Sequence, residues 1–254
     1  MSIIFYFDYC FKFYRLNYAM SSKNLKEIAE KAKKNDFISI SELMSGIENN
    51  IFSRKKVSEY IFKDSHESLK IGITGPPGAG KSSLMNKLIP LIRKAGLSVG
   101  VIAIDPSSPI TGGSFLGDRV RINNAVNDEN VFVRSMGSRA ELGGVTELAE
   151  DFSDILAYSG KDIIFIETVG VGQSEYSVSE ITDLTTLVFV PESGDEIQLL
   201  KAGILELADI FVVNKSDRKD SNLLVKSINN IISSTKKNLK KIPIVKTSCK
   251  PDAG

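Results

Sequence analysis

The chain has 254 residues, 42% of them hydrophobic and 25% charged, with 32 basic against 31 acidic side chains, the profile of one α/β domain with appendages. A net charge of +1 excludes capture of nucleic acid or of an anionic membrane by bulk positive charge, so neither is expected as a partner. Two cysteines, Cys10 and Cys249, and one histidine, His66, are too few for a disulfide framework or a metal-delivery cluster and point to a reducing cytoplasm.

Along the chain, the first feature is a crowding of aromatic residues, eight of the twenty falling within MSIIFYFDYCFKFYRLNY at positions 1–18. The run carries Asp8, Lys12 and Arg15, is shorter than the roughly 20 apolar residues a membrane span needs, and lacks the basic start and small-residue cleavage site of a secretory signal. Residues 1–19 are therefore set apart as a leader, with Met20 as an alternative start. Residues 20–68 are Lys/Glu-rich, with Leu25, Ile28, Ala29 and Ala32, then Ile40, Leu43, Met44 and Ile47, at helical spacing, which predicts a small helical extension.

From residue 69 to 254 the pattern changes to short β-branched runs: KIGIT (70–74), SVGVIAID (98–105), NVFVRS (130–135), DIIFIET (162–168), LTTLVFV (184–190), DIFVVNK (209–215) and IPIVKTS (242–248). Continuous apolar strands are buried on both faces, and the segments 81–95, 118–127, 144–159, 196–207 and 221–240 are long enough for crossover helices. The prediction is a doubly wound, mostly parallel α/β sheet with helices on both faces, its function lodged at the carboxyl ends of the strands.

The first strand runs into Gly75-Pro76-Pro77-Gly78-Ala79-Gly80-Lys81-Ser82, the G-x-x-x-x-G-K-[ST] phosphate loop of P-loop NTPases. Its amides and the following helix N-terminus can surround phosphate oxygens, with Lys81 neutralising the β/γ oxygens, Ser82 on Mg²⁺, and Ser83 completing the nucleotide-binding run. Three carboxylates at strand ends follow: Asp105 in IDPSS, Asp118 in FLGDR and Glu167 in IETVGVGQ. A polyanionic nucleotide needs Mg²⁺ and Mg²⁺ takes carboxylate oxygens, so Ser82, Asp105, Asp118 and Glu167 are the candidate metal set and Lys81, Asp105 and Glu167 the candidate catalytic set. Asp118 also reads as a helix N-cap. Gly170 and Gly172 suit a backbone that approaches the γ-phosphate and moves after its loss; Gln173 could orient water, although a loop glutamine is more often simply solvated.

Asn214-Lys215-Ser216-Asp217 ends the strand DIFVV and matches the N-K-x-D guanine element. A carboxylate at Asp217 can accept both the ring N–H and the exocyclic amino group of guanine, a donor pair that adenine lacks. Thr247-Ser248-Cys249 follows the last strand, where a short turn would close the base pocket, giving Ser248 and Cys249 as further nucleotide-binding candidates.

Together GITGPPGAGKSS, IDPSSPITGGSFLGDRVR, RSMGSRAELGG, ETVGVGQSE and SGDEIQLLKAGILELADIFVVNKSD resemble the GTPases associated with methylmalonyl-CoA mutase (MeaB, MMAA and ArgK-like proteins), P-loop GTPases of the signal-recognition and MinD-like class. The resemblance covers roughly residues 21–250. It implies a slow GTPase using GTP/GDP and Mg²⁺, acting as a chaperone that gates cofactor loading of an adenosylcobalamin-dependent acyl-CoA mutase and protects or reactivates it. It also implies that Ser193 to Lys201 is a mobile segment facing the mutase, with Asp195, Glu196 and Lys201 as switch residues beside Gly170, Gly172 and Gln173. Family members usually read PGAGDELQ where this chain has PESGDEIQ, so Glu192 and Ser193 are departures. The family continues past TSCKPDAG with helices and a dimerisation arm, so a homodimer is the expectation that the sequence as given leaves least supported. Three rival readings remain: a nucleotide-dependent metallochaperone, which the lone His66 disfavours, an ATP-dependent kinase of an amino-acid transport system, which NKSD disfavours, and a catalytically decayed binding module, kept open by the short C-terminus.

Overall fold

The computed structural model describes residues 24–64, 66–105, 128–137, 142–168, 178–192, 207–235 and 242–248. The chain divides into two compact units, one ending at Glu67 and including Asp154–Gly160, the other made of Ser68–Ser153 and Lys161 onward.

In the first unit, α1 (24–32), α2 (Phe37–Glu48) and α3 (Arg54–Ile61) follow one another through short turns. Asp36 caps α2, its carboxylate accepting the Ser39 N–H at 2.9 Å, a contact that occupies one of the free amides of a helix start; hydrogen bonding from Ser39, its side chain first and its N–H second, draws the Asp36 carboxyl below its ordinary range. The helical spacing seen in the sequence corresponds to one buried face: Leu25, Ile28, Ala29, Ala32, Ile40, Leu43, Met44 and Ile47 are all buried. An exposed ion pair, Lys33 to Asp64 at 2.9 Å, lies within the same unit.

The second unit is a seven-stranded sheet: β1 (Leu69–Thr74), β2 (Val99–Asp105), β3 (Val131–Gly137), β4 (Ile163–Thr168), β5 (Leu184–Phe189), β6 (Ile210–Val213) and β7 (Ile244–Lys246). The order is β3-β2-β4-β1-β5-β6-β7, and every pairing is parallel. The expectation of a mostly parallel sheet becomes an entirely parallel one. Each strand predicted from the β-branched runs is present. The helices α4 (Lys81–Lys94), α5 (Leu142–Tyr158) and α6 (Ser221–Thr235) supply crossovers; α5 starts two residues earlier than the spacing suggests, taking both glycines of LGGV into its first turn.

The continuous apolar runs are explained by cover on both faces. Alternate residues of one strand serve two cores: Val188 packs with Leu84, Met85 and Ile89 of α4, while Leu187 and Phe189 pack with Phe211, Val213, Leu224 and Ile228. The Phe189 and Phe211 rings stack with centroids 6.4 Å apart, a separation typical of offset aromatic pairs.

Polar residues at the amino edge hold the strand starts. Asp183 precedes β5 and accepts the Lys70 N–H at 2.7 Å, while its own N–H donates to Lys70 O. Asp209 precedes β6 and makes the same pair of bonds with Thr185, whose N–H donates at 2.8 Å. Asp162 precedes β4 and accepts both the N–H and the hydroxyl of Ser98, at 2.6 and 2.7 Å. Among the described residues, no helix is long and apolar enough to cross a membrane.

Candidate nucleotide site

The chain passes from β1 to β2 across β4, then from β4 to β5 across β1, so the sheet reverses its direction of growth around the central strand. Such switch points open a crevice at the carboxyl ends, and the phosphate loop begins there, at Gly75. This glycine has φ 138°, and a Cβ at the position would collide with the Val188 carbonyl; only glycine allows the loop to leave β1 so close to β5. Pro76 and Ala79 are buried, while Pro77 and Gly78 form the exposed tip. Gly80, left-handed at φ 88°, is the N-cap of α4, whose first residues are Lys81, Ser82 and Ser83.

Lys81 is 6% exposed, and its Nζ donates to Gly75 O at 2.6 Å and Pro76 O at 3.0 Å. The ammonium is thus held inside the loop, its charge kept where phosphate oxygens would lie. Ser82 Oγ donates to Glu167 Oε1 at 2.8 Å, joining two residues 85 positions apart in the chain. The register accounts for this approach, since Glu167 pairs with Ile73 of β1 on one side and Ala103 of β2 on the other. Asp105 is the last residue of β2, its backbone paired with Gly137 of β3. A hydroxyl and a carboxylate side by side are hard oxygen donors of the kind Mg²⁺ takes together with substrate phosphates, so the residues present fit that ion. Behind them, Thr168 Oγ1 donates to Thr74 Oγ1 at 2.7 Å, both residues fully buried. The sequence carries no signal for this pair, because a threonine at the end of a strand is ordinary.

The Asn214–Asp217 turn is linked to the phosphate loop by two side chains. Asn214, 1% exposed, donates through Nδ2 to Ala79 O at 2.8 Å, and Lys215 Nζ donates to Gly78 O at 2.7 Å. Lys215 has φ 54°, a left-handed turn that directs the following residues away from β6. The turn after β7 closes the other side: Thr247 Oγ1 donates to Asn214 Oδ1 at 3.1 Å, Ser216 N–H donates to Thr247 O, and Ser248 Oγ donates to Asp217 Oδ1 at 2.7 Å. The Asp217 carboxylate is thus engaged by a hydroxyl of the turn that follows β7. In the sequence Thr247 is only part of a turn; its bond to Asn214 adds it to the candidate residues beside Ser248.

Asp118, Gly170, Gly172, Gln173, Asp195, Glu196, Lys201 and Cys249 lie outside the described residues, as does the aromatic leader. The side chain of Asp105 does too.

Comparison with known proteins places this geometry in context. The family described as methylmalonyl Co-A mutase-associated GTPase MeaB matches residues 41–254. A protein of Pyrococcus horikoshii provisionally named a GTPase is 43% identical over 227 residues, 88% of this chain and 72% of the relative. GTPase ArgK of Escherichia coli is 43% identical over 59% of this chain and 45% of its own length. The mouse methylmalonic aciduria type A homolog, mitochondrial, is 42% identical over 59% and 36%. The chain therefore spans less than half the length of the latter two. Among solved structures, a LAO/AO transport system kinase superposes with a TM-score of 0.69 at 24% identity, covering 89% of this chain and 70% of that one. HypB from Helicobacter pylori in complex with nickel gives 0.55 at 18% identity, covering 77% and 85%; both are likenesses of fold alone. With a phosphate loop on the central strand of a parallel sheet and a family match over residues 41–254, the chain belongs to the methylmalonyl Co-A mutase-associated GTPase MeaB family.

Proposed function

We propose that this chain binds GTP and GDP with Mg²⁺, hydrolyses GTP slowly, and uses the change of state to act on an adenosylcobalamin-dependent acyl-CoA mutase. The observation that carries the nucleotide reading is the pair of bonds from Asn214 to Ala79 O and from Lys215 to Gly78 O. They make the base-reading turn and the phosphate loop one continuous cradle, so a nucleotide that fills one is registered against the other. The mutase reading draws its support from the family description and from the residue pattern of the sequence.

Within that reading, Lys81 exchanges the Gly75 and Pro76 carbonyls for phosphate oxygens, and the loop amides accept the remaining charge. Mg²⁺, held by Ser82 and Glu167 with Asp105 and Asp118 as further candidates, supplies neutralisation of the β- and γ-phosphate charge. Glu167 holds the Ser82 hydroxyl in place beforehand. Asp217, an exposed carboxylate in the described structure, selects guanine, because an adenine in the same place would set its ring-nitrogen acceptor against the carboxylate and leave both bonds unmade, a mismatch that lowers affinity where a site is built around such bonds. Catalysis by positioning and charge neutralisation, without an activating partner, gives a low turnover.

The test is titration of the purified chain with GDP, GTP and ADP, followed by GTP hydrolysis with and without a purified methylmalonyl-CoA mutase. Binding of GDP at least a hundredfold tighter than ADP is expected, together with stable association with the mutase in a pull-down. Preference for ADP would overturn the guanine assignment. Guanine binding with neither association nor a change of turnover would overturn the mutase assignment.

A further inference from the structure

Glu192 follows β5 by three positions and Arg218 follows Asp217 directly. The ends of β5 and β6 are joined by the Asn214 N–H, which donates to Phe189 O at 2.8 Å. A few residues further on, the same two stretches of chain meet again: Arg218 Nη1 donates to Glu192 Oε1 at 2.6 Å. Arg218 also closes the base-reading turn through its backbone, its N–H donating to Lys215 O at 2.9 Å. The Glu192 carboxyl is held below its ordinary range first by the hydrogen bond from Arg218, and the charge of Lys215 adds to the effect. One carboxylate is therefore acted on by both cations of the turn that carries Asp217.

We infer that the Glu192–Arg218 ion pair is a strut that fixes the Asp217 turn against the end of β5, making both of them positioning residues for guanine recognition. Neither side chain touches the base; each acts through the turn. The inference rests on the guanine reading above. The mechanism is geometric. Asp217 is tethered on one side by Ser248, on the turn that follows β7. Arg218 ties the other side to β5. A base-reading carboxylate must be placed to within a fraction of an ångström for two simultaneous hydrogen bonds, and a turn held from two strands is narrower in its range than one held from a single strand. The side chains of Arg218 and Glu192 are 46% and 53% exposed, so the pair is partly screened and its effect is modest and salt-sensitive.

The experiment measures dissociation of fluorescent GDP and IDP from wild type, Glu192→Gln, Arg218→Gln and the double variant, at low and at about 1 M salt. Inosine lacks the exocyclic amino group, so the GDP-to-IDP ratio reads the second bond to Asp217 and is insensitive to global stability. Each single variant is expected to release GDP about two- to fivefold faster at low salt and to raise the GDP-to-IDP ratio of release rates toward one. The double variant should be no worse than either single one, and high salt should bring wild type toward the variants. Unchanged GDP release, an unchanged ratio, or strictly additive losses would each overturn the strut. Should wild type itself fail to prefer GDP over ADP, the guanine reading fails instead, and the two failures are told apart by that control.

Discussion

Thr74 and Thr168 each end a strand, and each sits one residue before a stretch of the proposed nucleotide site, the phosphate loop at Gly75 and the segment beginning at residue 169. Their hydroxyls share a 2.7 Å bond in a fully buried setting. Removing one hydroxyl strands the other away from water, which costs about 1–3 kcal/mol, whereas removing both leaves an apolar contact of similar shape. Thr168→Val is therefore expected to lose stability by roughly that amount, and Thr74→Val/Thr168→Val to lose less than the sum of the singles, as measured by urea unfolding. Additive losses would show that the two hydroxyls are satisfied independently. Gly75 makes a comparable point about what is legible in a sequence. The motif marks it as glycine for close approach to phosphate, but the carbonyl of Val188 also requires it. That second requirement belongs to a neighbouring strand and has no local trace.

At the level of elements, an aspartate ahead of β4, β5 and β6 pins each strand start to its neighbour. The device is visible in the sequence as KDII, TDLT and ADIF, although an aspartate before an apolar run is also an ordinary turn residue. Only pairing shows that the carboxylates accept amides from a strand far away in the chain, 113 residues away for Asp183 and Lys70. Because a one-residue slip would move every side chain to the opposite face, such a pin acts on the register of two cores at once. Asp209→Ala is expected to cost about 1–2 kcal/mol by releasing the N–H of Thr185, a residue only 2% exposed. Asp209→Asn, which keeps an acceptor, should cost less. Thermal unfolding of the two variants side by side distinguishes them, and equal losses would remove the pinning role.

For the molecule as a whole, Lys161 is the largest charged side chain taken fully out of water among the described residues. Burial first, then the Arg93 charge, pushes its ammonium down from 10.5 to about 8, with Asp128 and Asp162 pulling the other way. The folded state thus binds this proton more weakly than the unfolded one. Stability is lowest where both states are charged, below about 8, and rises with pH up to 10.5, where both are neutral. Lys161→Met removes this dependence. The gap in unfolding free energy between variant and wild type should narrow as the pH is raised across that window. Parallel pH profiles would show that Lys161 titrates alike in both states.

Sequence alone determined what is local. The phosphate loop, the NKSD turn and the seven strands are each specified within a few residues, because backbone amides, helix termini and apolar runs act over short distances. It also determined the family. Tertiary structure decided the strand order, which inserts β4 between β2 and β1, and with it the contacts that bring the separate motifs together. Glu167 reaches Ser82 across 85 residues and Asn214 reaches Ala79 across 135. A parallel sheet joins its strands through crossovers that carry no record of which neighbour each strand will take. For that reason the contacts of Thr247, Arg218 and the Thr74–Thr168 pair, which exist only across strands, came into view with the fold.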